Sequence, residues 1–167
     1  QGGALHMYMI DHVDMIDCKC YNNTADRGGA VDLYVIATIN VDNCDILNNT
    51  AHSEGGGFYI NSDGRPSDFY NTNISNNKAG TEGGAIYLIT DGAFFDNVTS
   101  INNTASRGGS AFIRGHDAVI QHSTFSNNSA INNGTEISGI GGALDILGNN
   151  CQLINVTSKY NNASLGG

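Results

Sequence analysis

The residues that follow each Gly-Gly pair alternate between apolar and mixed character. The second residue past the pair is Leu5, Val31, Phe58, Ile86, Ala111 or Leu144, and two further on stand Met7, Leu33, Ile60, Leu88, Ile113 and Ile146. Between these two apolar columns lies a mixed one: His6, Asp32, Tyr59, Tyr87, Phe112 and Asp145. A period of two describes a strand with one face buried. No 3.6-residue stripe persists, and Gly or Asn interrupts every helical window, so helices are not expected.

The alternation itself recurs. Gly-Gly begins at Gly2, Gly28, Gly55, Gly83, Gly108, Gly141 and Gly166, at intervals of 26, 27, 28, 25, 33 and 25 residues. Asn-Asn falls in every interval, beginning at Asn22, Asn48, Asn76, Asn102, Asn127 and Asn161, with further pairs at Asn132 and Asn149. Two markers that hold phase over six intervals describe a repeat architecture.

Two residues before each of these six pairs stand Cys20, Ile46, Ile74, Ser100, Phe125 and Lys159, which predicts a second short strand. Ser100 and Lys159 are poor core residues, and the last unit has one residue more before its Asn-Asn than the fourth, so a bulge is expected there. A third strand is expected around 37–41, 93–96, 118–121 and 152–155.

Three short strands per unit make one coil of a solenoid. The prediction is an all-β fold, a single-stranded parallel β-helix of about six coils of roughly 25–28 residues. Such a stack is a rod on the order of 29 Å long. The second Asn of each pair (Asn23, Asn49, Asn77, Asn103, Asn128, Asn162) is expected to form an inward amide ladder. The long fifth interval predicts a protruding loop at 130–140. The chain opens and closes inside the motif, which reads as one β-helix domain, 1–167, excerpted from a longer array or processed.

Gly83-Gly84-Ala85-Ile86 and Phe125-Ser126-Asn127-Asn128 resemble the two repeat motifs of the chlamydial polymorphic membrane proteins. Gly2-Gly3-Ala4-Leu5, Gly28-Gly29-Ala30-Val31 and Gly141-Gly142-Ala143-Leu144 repeat the first. The resemblance covers the whole chain, although Ile, Cys, Ser or Lys replaces Phe elsewhere in the second motif. It implies a right-handed parallel β-helix, surface exposure and adhesion.

Composition narrows the partners. Charged residues make up 14 %, the net charge is −9, and the seven Lys and Arg are scattered, so neither nucleic acid nor an anionic membrane is an expected partner. No apolar run is long enough to span a bilayer. Hydrophobic residues at 40 % are enough to drive folding.

Asn-x-Ser/Thr acceptors occur at Asn22, Asn48, Asn73, Asn97, Asn102, Asn127, Asn133, Asn155 and Asn162. From the Asn and Ser/Thr content about three would arise by chance, so nine suggest a secreted, N-glycosylated protein at the cell surface or outside it. The alternative is that Asn-Asn-Thr-Ala is a turn sequence; it accounts for Asn22, Asn48, Asn102 and Asn127 only. Stacked acceptors such as Asn22 and Asn48 would crowd each other if both were occupied.

Cys18 and Cys44 each lie four residues before an Asn-Asn, so they should stack on adjacent coils, as a disulfide or as two packed thiols. Cys18-x-Cys20 has neither redox nor zinc spacing. The five His are dispersed, and no metal or cofactor is expected. Arg114 with Gly115-His116-Asp117 is the nearest approach to a catalytic cluster, and it is isolated; an enzyme is not expected. Tyr59, Tyr87 and Phe112 form an outward aromatic column on successive coils, suited to sugar rings or a partner protein, or else to cover by a neighbouring segment. Three functions follow in order: a structural rod that associates end to end, a surface adhesin for carbohydrate or protein, and a polysaccharide-active enzyme.

Overall fold

The computed structural model describes residues 1–135 and 137–166, with side chains throughout except at 36 and 37. Among these residues every regular element is a strand. The first repeat unit holds β1 (Leu5–Ile16), β2 (Lys19–Tyr21) and β3 (Thr24–Ala25); the second holds β4 (Val31–Asp42), β5 (Asp45–Leu47) and β6 (Thr50–Ala51). The third holds β7 (Phe58–Asn61), β8 (Ser67–Tyr70), β9 (Asn73–Ser75) and β10 (Lys78–Ala79). The fourth holds β11 (Ile86–Ile89), β12 (Phe94–Asp96), β13 (Thr99–Ile101) and β14 (Thr104–Ala105). The fifth holds β15 (Ala111–Arg114), β16 (Val119–Gln121), β17 (Thr124–Ser126) and β18 (Ser129–Ala130). The last holds β19 (Leu144–Leu147), β20 (Gln152–Ile154) and β21 (Thr157–Lys159).

Strands pair in parallel between successive units, in three sheets. One sheet runs β2-β5-β9-β13-β17-β21 and a second β18-β14-β10-β6-β3. The third joins β19-β15-β11-β7-β4 to β4-β8-β12-β16-β20, with β1 on β4. Its two arms share β4 because β1 and β4 run as single strands through a corner that later units turn, as at Asp63 and Gly64, both with positive φ. β1 is kinked there, with Met9 at φ 56° and register shifts between Tyr8 and His12. The result is a parallel β-solenoid of about five turns from first unit to last.

Register follows the sequence columns. Leu5, Val31, Phe58, Ile86, Ala111 and Leu144 pair in succession, as do Met7, Leu33, Ile60, Leu88, Ile113 and Ile146. These columns fill the core together with Phe69, Phe95, Ile120, Ile46, Ile74 and Phe125. Phe69 sits edge-on to Phe58 and Phe95, with ring centroids at 5.6 and 4.8 Å. Each such ring buried contributes about 1.5–3 kcal/mol.

The sequence had no strand after Asn-Asn, where the structure adds the two-residue strands β3, β6, β10, β14 and β18. In β6, Thr50 faces outward and Ala51 inward, where only a small side chain fits. Asn-Asn-Thr-Ala is thus a corner followed by a strand. The first Asn adopts left-handed backbone (φ 55 to 58° at Asn22, Asn48, Asn76, Asn102 and Asn127), a region Asn tolerates. The second Asn points into the core, as expected.

The Gly-Gly pair answers two separate demands. Gly83 has φ +65°, whereas a Cβ on Gly84 would stand 2.1 Å from the carbonyl oxygen of Gly109 on the next unit. The first glycine is there for backbone conformation and the second for close stacking.

The amide ladder is present, with one correction. In each of Asn23, Asn49, Asn77, Asn103 and Asn128 the backbone N–H and Nδ2 both donate to the Oδ1 of the next rung, at 2.8–3.1 Å. The last rung is Asn161, not Asn162. Phe125 accordingly pairs with Ser158, not with Lys159, and no bulge occurs in β21. Tyr160 takes the left-handed corner (φ 57°) that an Asn occupies in the other units. Ser100 is buried and satisfied: its hydroxyl donates to the Ile74 carbonyl and lies 2.6 Å from the Ser110 hydroxyl.

A carboxylate-lined corner beside a buried aromatic ladder

The mixed column of the first strand stacks as His6, Asp32, Tyr59, Tyr87, Phe112 and Asp145. Tyr59 and Tyr87 stack with nearly parallel rings at 5.0 Å between centroids, and Tyr87 and Phe112 at 5.2 Å. Of the two readings of this column, exposure and cover, the structure has cover. Phe112 is 0 % and Tyr87 only 7 % exposed, and Tyr59 is half-buried.

Before the second to fifth Gly-Gly pairs stand Arg27, Glu54, Glu82 and Arg107, and the two arginine side chains fold back over the outward face. The Arg27 guanidinium lies 4.0 Å from the Tyr59 ring centre, and that of Arg107 4.9 Å from Phe112. Each arginine also holds the acid that ends the aromatic stack. Arg27 donates to both oxygens of fully buried Asp32, at 3.0 and 3.2 Å. Arg107 donates through Nε to Asp145 and places Nη1 3.5 Å from Glu82. Buried acids need such partners.

Sequence reading missed this charged column, although Arg-Glu-Glu-Arg at one position of four consecutive units was legible there. Two of its acids lie on adjacent units, since the N–H of Gly55 donates to the carbonyl of Glu82. Burial pushes the Glu82 carboxyl above its usual range, against the pull of Arg107. Burial likewise pushes the Tyr87 phenol up to about 12.

The insertion after β18 lies against this corner. Nδ2 of Asn133 donates to the Ser106 hydroxyl, and the N–H of Gly139 to the Ser106 carbonyl. Between insertion and corner lies a cleft of about 280 Å³, lined by Glu54, Thr81, Glu82, Ser106, Arg107, Asn133, Thr135 and Ile137.

Of the nine glycan acceptors, Asn22, Asn48, Asn97, Asn102, Asn127, Asn133, Asn155 and Asn162 are exposed, and Asn73 is half-buried with its Oδ1 held by the Ser75 hydroxyl. Most sit on the two corners that flank the β2-to-β21 sheet. Cys18 and Cys44 lie in phase on adjacent units as thiols, the N–H of Asp45 donating to the Cys18 carbonyl. Burial pushes the Cys44 thiol up to about 11.

His116 is exposed; its Nδ1 accepts from the N–H of Asn149, while Asp117 accepts from Asn150. Among the described residues no group of three His, Cys, Asp or Glu side chains could hold a metal ion, and no helix is long and apolar enough to cross a membrane.

Residues 71–88 match the Chlamydia polymorphic membrane protein repeat. The matched stretch contains β9, β10, the Gly83-Gly84 corner and most of β11, so it holds one Asn-Asn rung and one Gly-Gly turn. It also carries Glu82 and Tyr87 of the corner described above. No curated protein and no solved structure matches the chain.

Proposed function

We propose that this chain is a segment of a surface β-solenoid with a structural role: an N-glycosylated extracellular rod, extended end to end by further coils. The repeat match and the solenoid fold both fit a surface protein of structural or adhesive kind. The carrying observation is the in-phase stacking of each unit on the next: Leu33, Ile60, Leu88, Ile113 and Ile146 pair in parallel succession, so one unit serves as the template for another. Electron microscopy of the native material is the test: rods are expected, and discrete, unextended particles would overturn the reading.

Two modifications belong to the same proposal. Glycans at the exposed acceptors predict a mass loss on glycosidase treatment, and an unchanged intact mass removes them. A Cys18–Cys44 bridge predicts that neither thiol is alkylated in the native secreted protein, and alkylation of both removes the bridge.

The second reading is a surface adhesin for carbohydrate or protein, and the cleft beside Glu54 and Glu82 favours it. A polysaccharide-active enzyme has no comparable support, because His116 and Asp117 serve neighbouring backbone and side-chain groups. Activity on polysaccharides abolished by His116→Ala would restore that reading.

A further inference from the structure

We infer that the cleft between the corner carboxylates and the insertion receives one basic side chain, lysine or arginine, of a partner protein. The corner is short of positive charge. Arg27 is committed to Asp32 and Arg107 to Asp145. Glu82 has one ion pair, the 3.5 Å approach of Arg107, with Arg114 pulling on it from further away, and Glu54 forms none of the ion pairs seen among the described residues. Two adjacent, partly desolvated carboxylates in a cleft focus negative potential where a cation can enter. Burial of the ionised Glu82 carboxyl opposes stability, and a cleft that keeps such a group is a candidate for recognition.

Shape points the same way. The volume, about 280 Å³, falls below the usual range for small-molecule pockets and suits a single side chain. Ile137, 60 % exposed, walls the cleft opposite the acids. A lysine or arginine lays its methylene stem on such a wall and extends its charged head beyond it. A sugar ring fits less well, because the Arg27 and Arg107 guanidinium groups occupy the aromatic faces it would stack on. Calcium would need six or more oxygen ligands, and no metal-holding cluster is present among the described residues.

The partner class rests on the adhesive reading, but the chemistry stands alone: failed surface labelling would sink that reading and leave the titration below untouched. Acetyl-Gly-Lys-Gly-amide, its arginine counterpart, a norleucine control and calcium chloride are titrated into the isotope-labelled chain and followed by NMR. Saturable shifts at Glu54, Glu82 and Ile137 are expected with the basic peptides and absent with norleucine. At millimolar affinity, about 10 mM peptide approaches saturation. Glu54→Gln with Glu82→Gln should weaken binding at least roughly tenfold. That double variant keeps its fold, because it removes buried charge, and its unshifted spectrum elsewhere will show this. An equal response to norleucine, a response to calcium alone, no saturable shift, or undiminished binding by the double variant would each overturn the inference.

Discussion

The amide ladder from Asn23 to Asn161 and the outward ladder from Asp32 to Asp145 both place one residue per unit above the next, yet they tolerate change differently. Each rung from Asn23 to Asn128 donates twice to one oxygen of the next rung, and from Asn49 onward a second Nδ2 proton returns to a backbone carbonyl of the preceding unit. Each rung therefore depends on the chemistry of its neighbours. In the outward ladder Tyr, Tyr and Phe interchange, because stacking asks only for a flat ring, and polarity matters at the ends alone, where Arg27 and Arg107 meet Asp32 and Asp145. A buried polar column is fixed residue by residue, whereas an apolar one is fixed by shape.

Breaking a central amide rung should have the largest effect. Asn77→Leu leaves the Asn49 N–H, one Asn49 Nδ2 proton and the Ile46 carbonyl without partners, at a cost of about 4 kcal/mol. Denaturant unfolding would measure it, and a loss below about 1 kcal/mol would show that water or a shifted rung replaces the amide.

Next comes the charged end of the outward ladder. Arg107→Met strands buried Asp145 and should cost about 3 kcal/mol, much of it recovered when Asp145→Asn is added. Additive losses in that double-mutant cycle would mean that the pair is not coupled.

The corner of the last unit offers a smaller change, this time a gain. Tyr160 holds φ 57° where other units use Asn, so Tyr160→Asn should stabilise by about 1 kcal/mol, seen as a raised Tm. An unchanged Tm would show that the strain is relieved by fraying at this exposed end.

Glu82→Gln should have the smallest effect and one that depends on pH. Burial raises the Glu82 carboxyl in the folded chain, so the folded state binds the proton more tightly than the unfolded one. The contribution is therefore fully favourable below the ordinary carboxylate value and is lost as pH rises through the raised one. The variant should be more stable than the parent at pH 7 and equal to it near pH 4, as unfolding curves at both values will show. A parent that is the more stable at pH 7 would mean that the Arg107 contact outweighs burial.

Much of the architecture was open to sequence reasoning, for a definite reason. Parallel in-register stacking forces like positions onto like positions, so columns such as Leu33, Ile60, Leu88 and Ile113 describe contacts directly. The final rung escaped because register is carried by the backbone corner rather than by amide identity. Counting from Asn155 instead of from the Asn-Asn pair lands on Asn161, just as Asn97 leads to Asn103. The corner site was only half legible: Arg27, Glu54, Glu82 and Arg107 could be aligned, but not aimed.

By itself the sequence determined the repeat, the buried face of each first strand, the amide column and the stacking of Cys18 on Cys44, because all of these follow from phase along one axis. Tertiary structure decided that Tyr87 and Phe112 are covered, that Asp32 and Asp145 are paired, and that the insertion meets Glu54 and Glu82 across a cleft. Those outcomes depend on where long side chains fold back and where an irregular loop comes to rest, and neither has a period that a sequence can display.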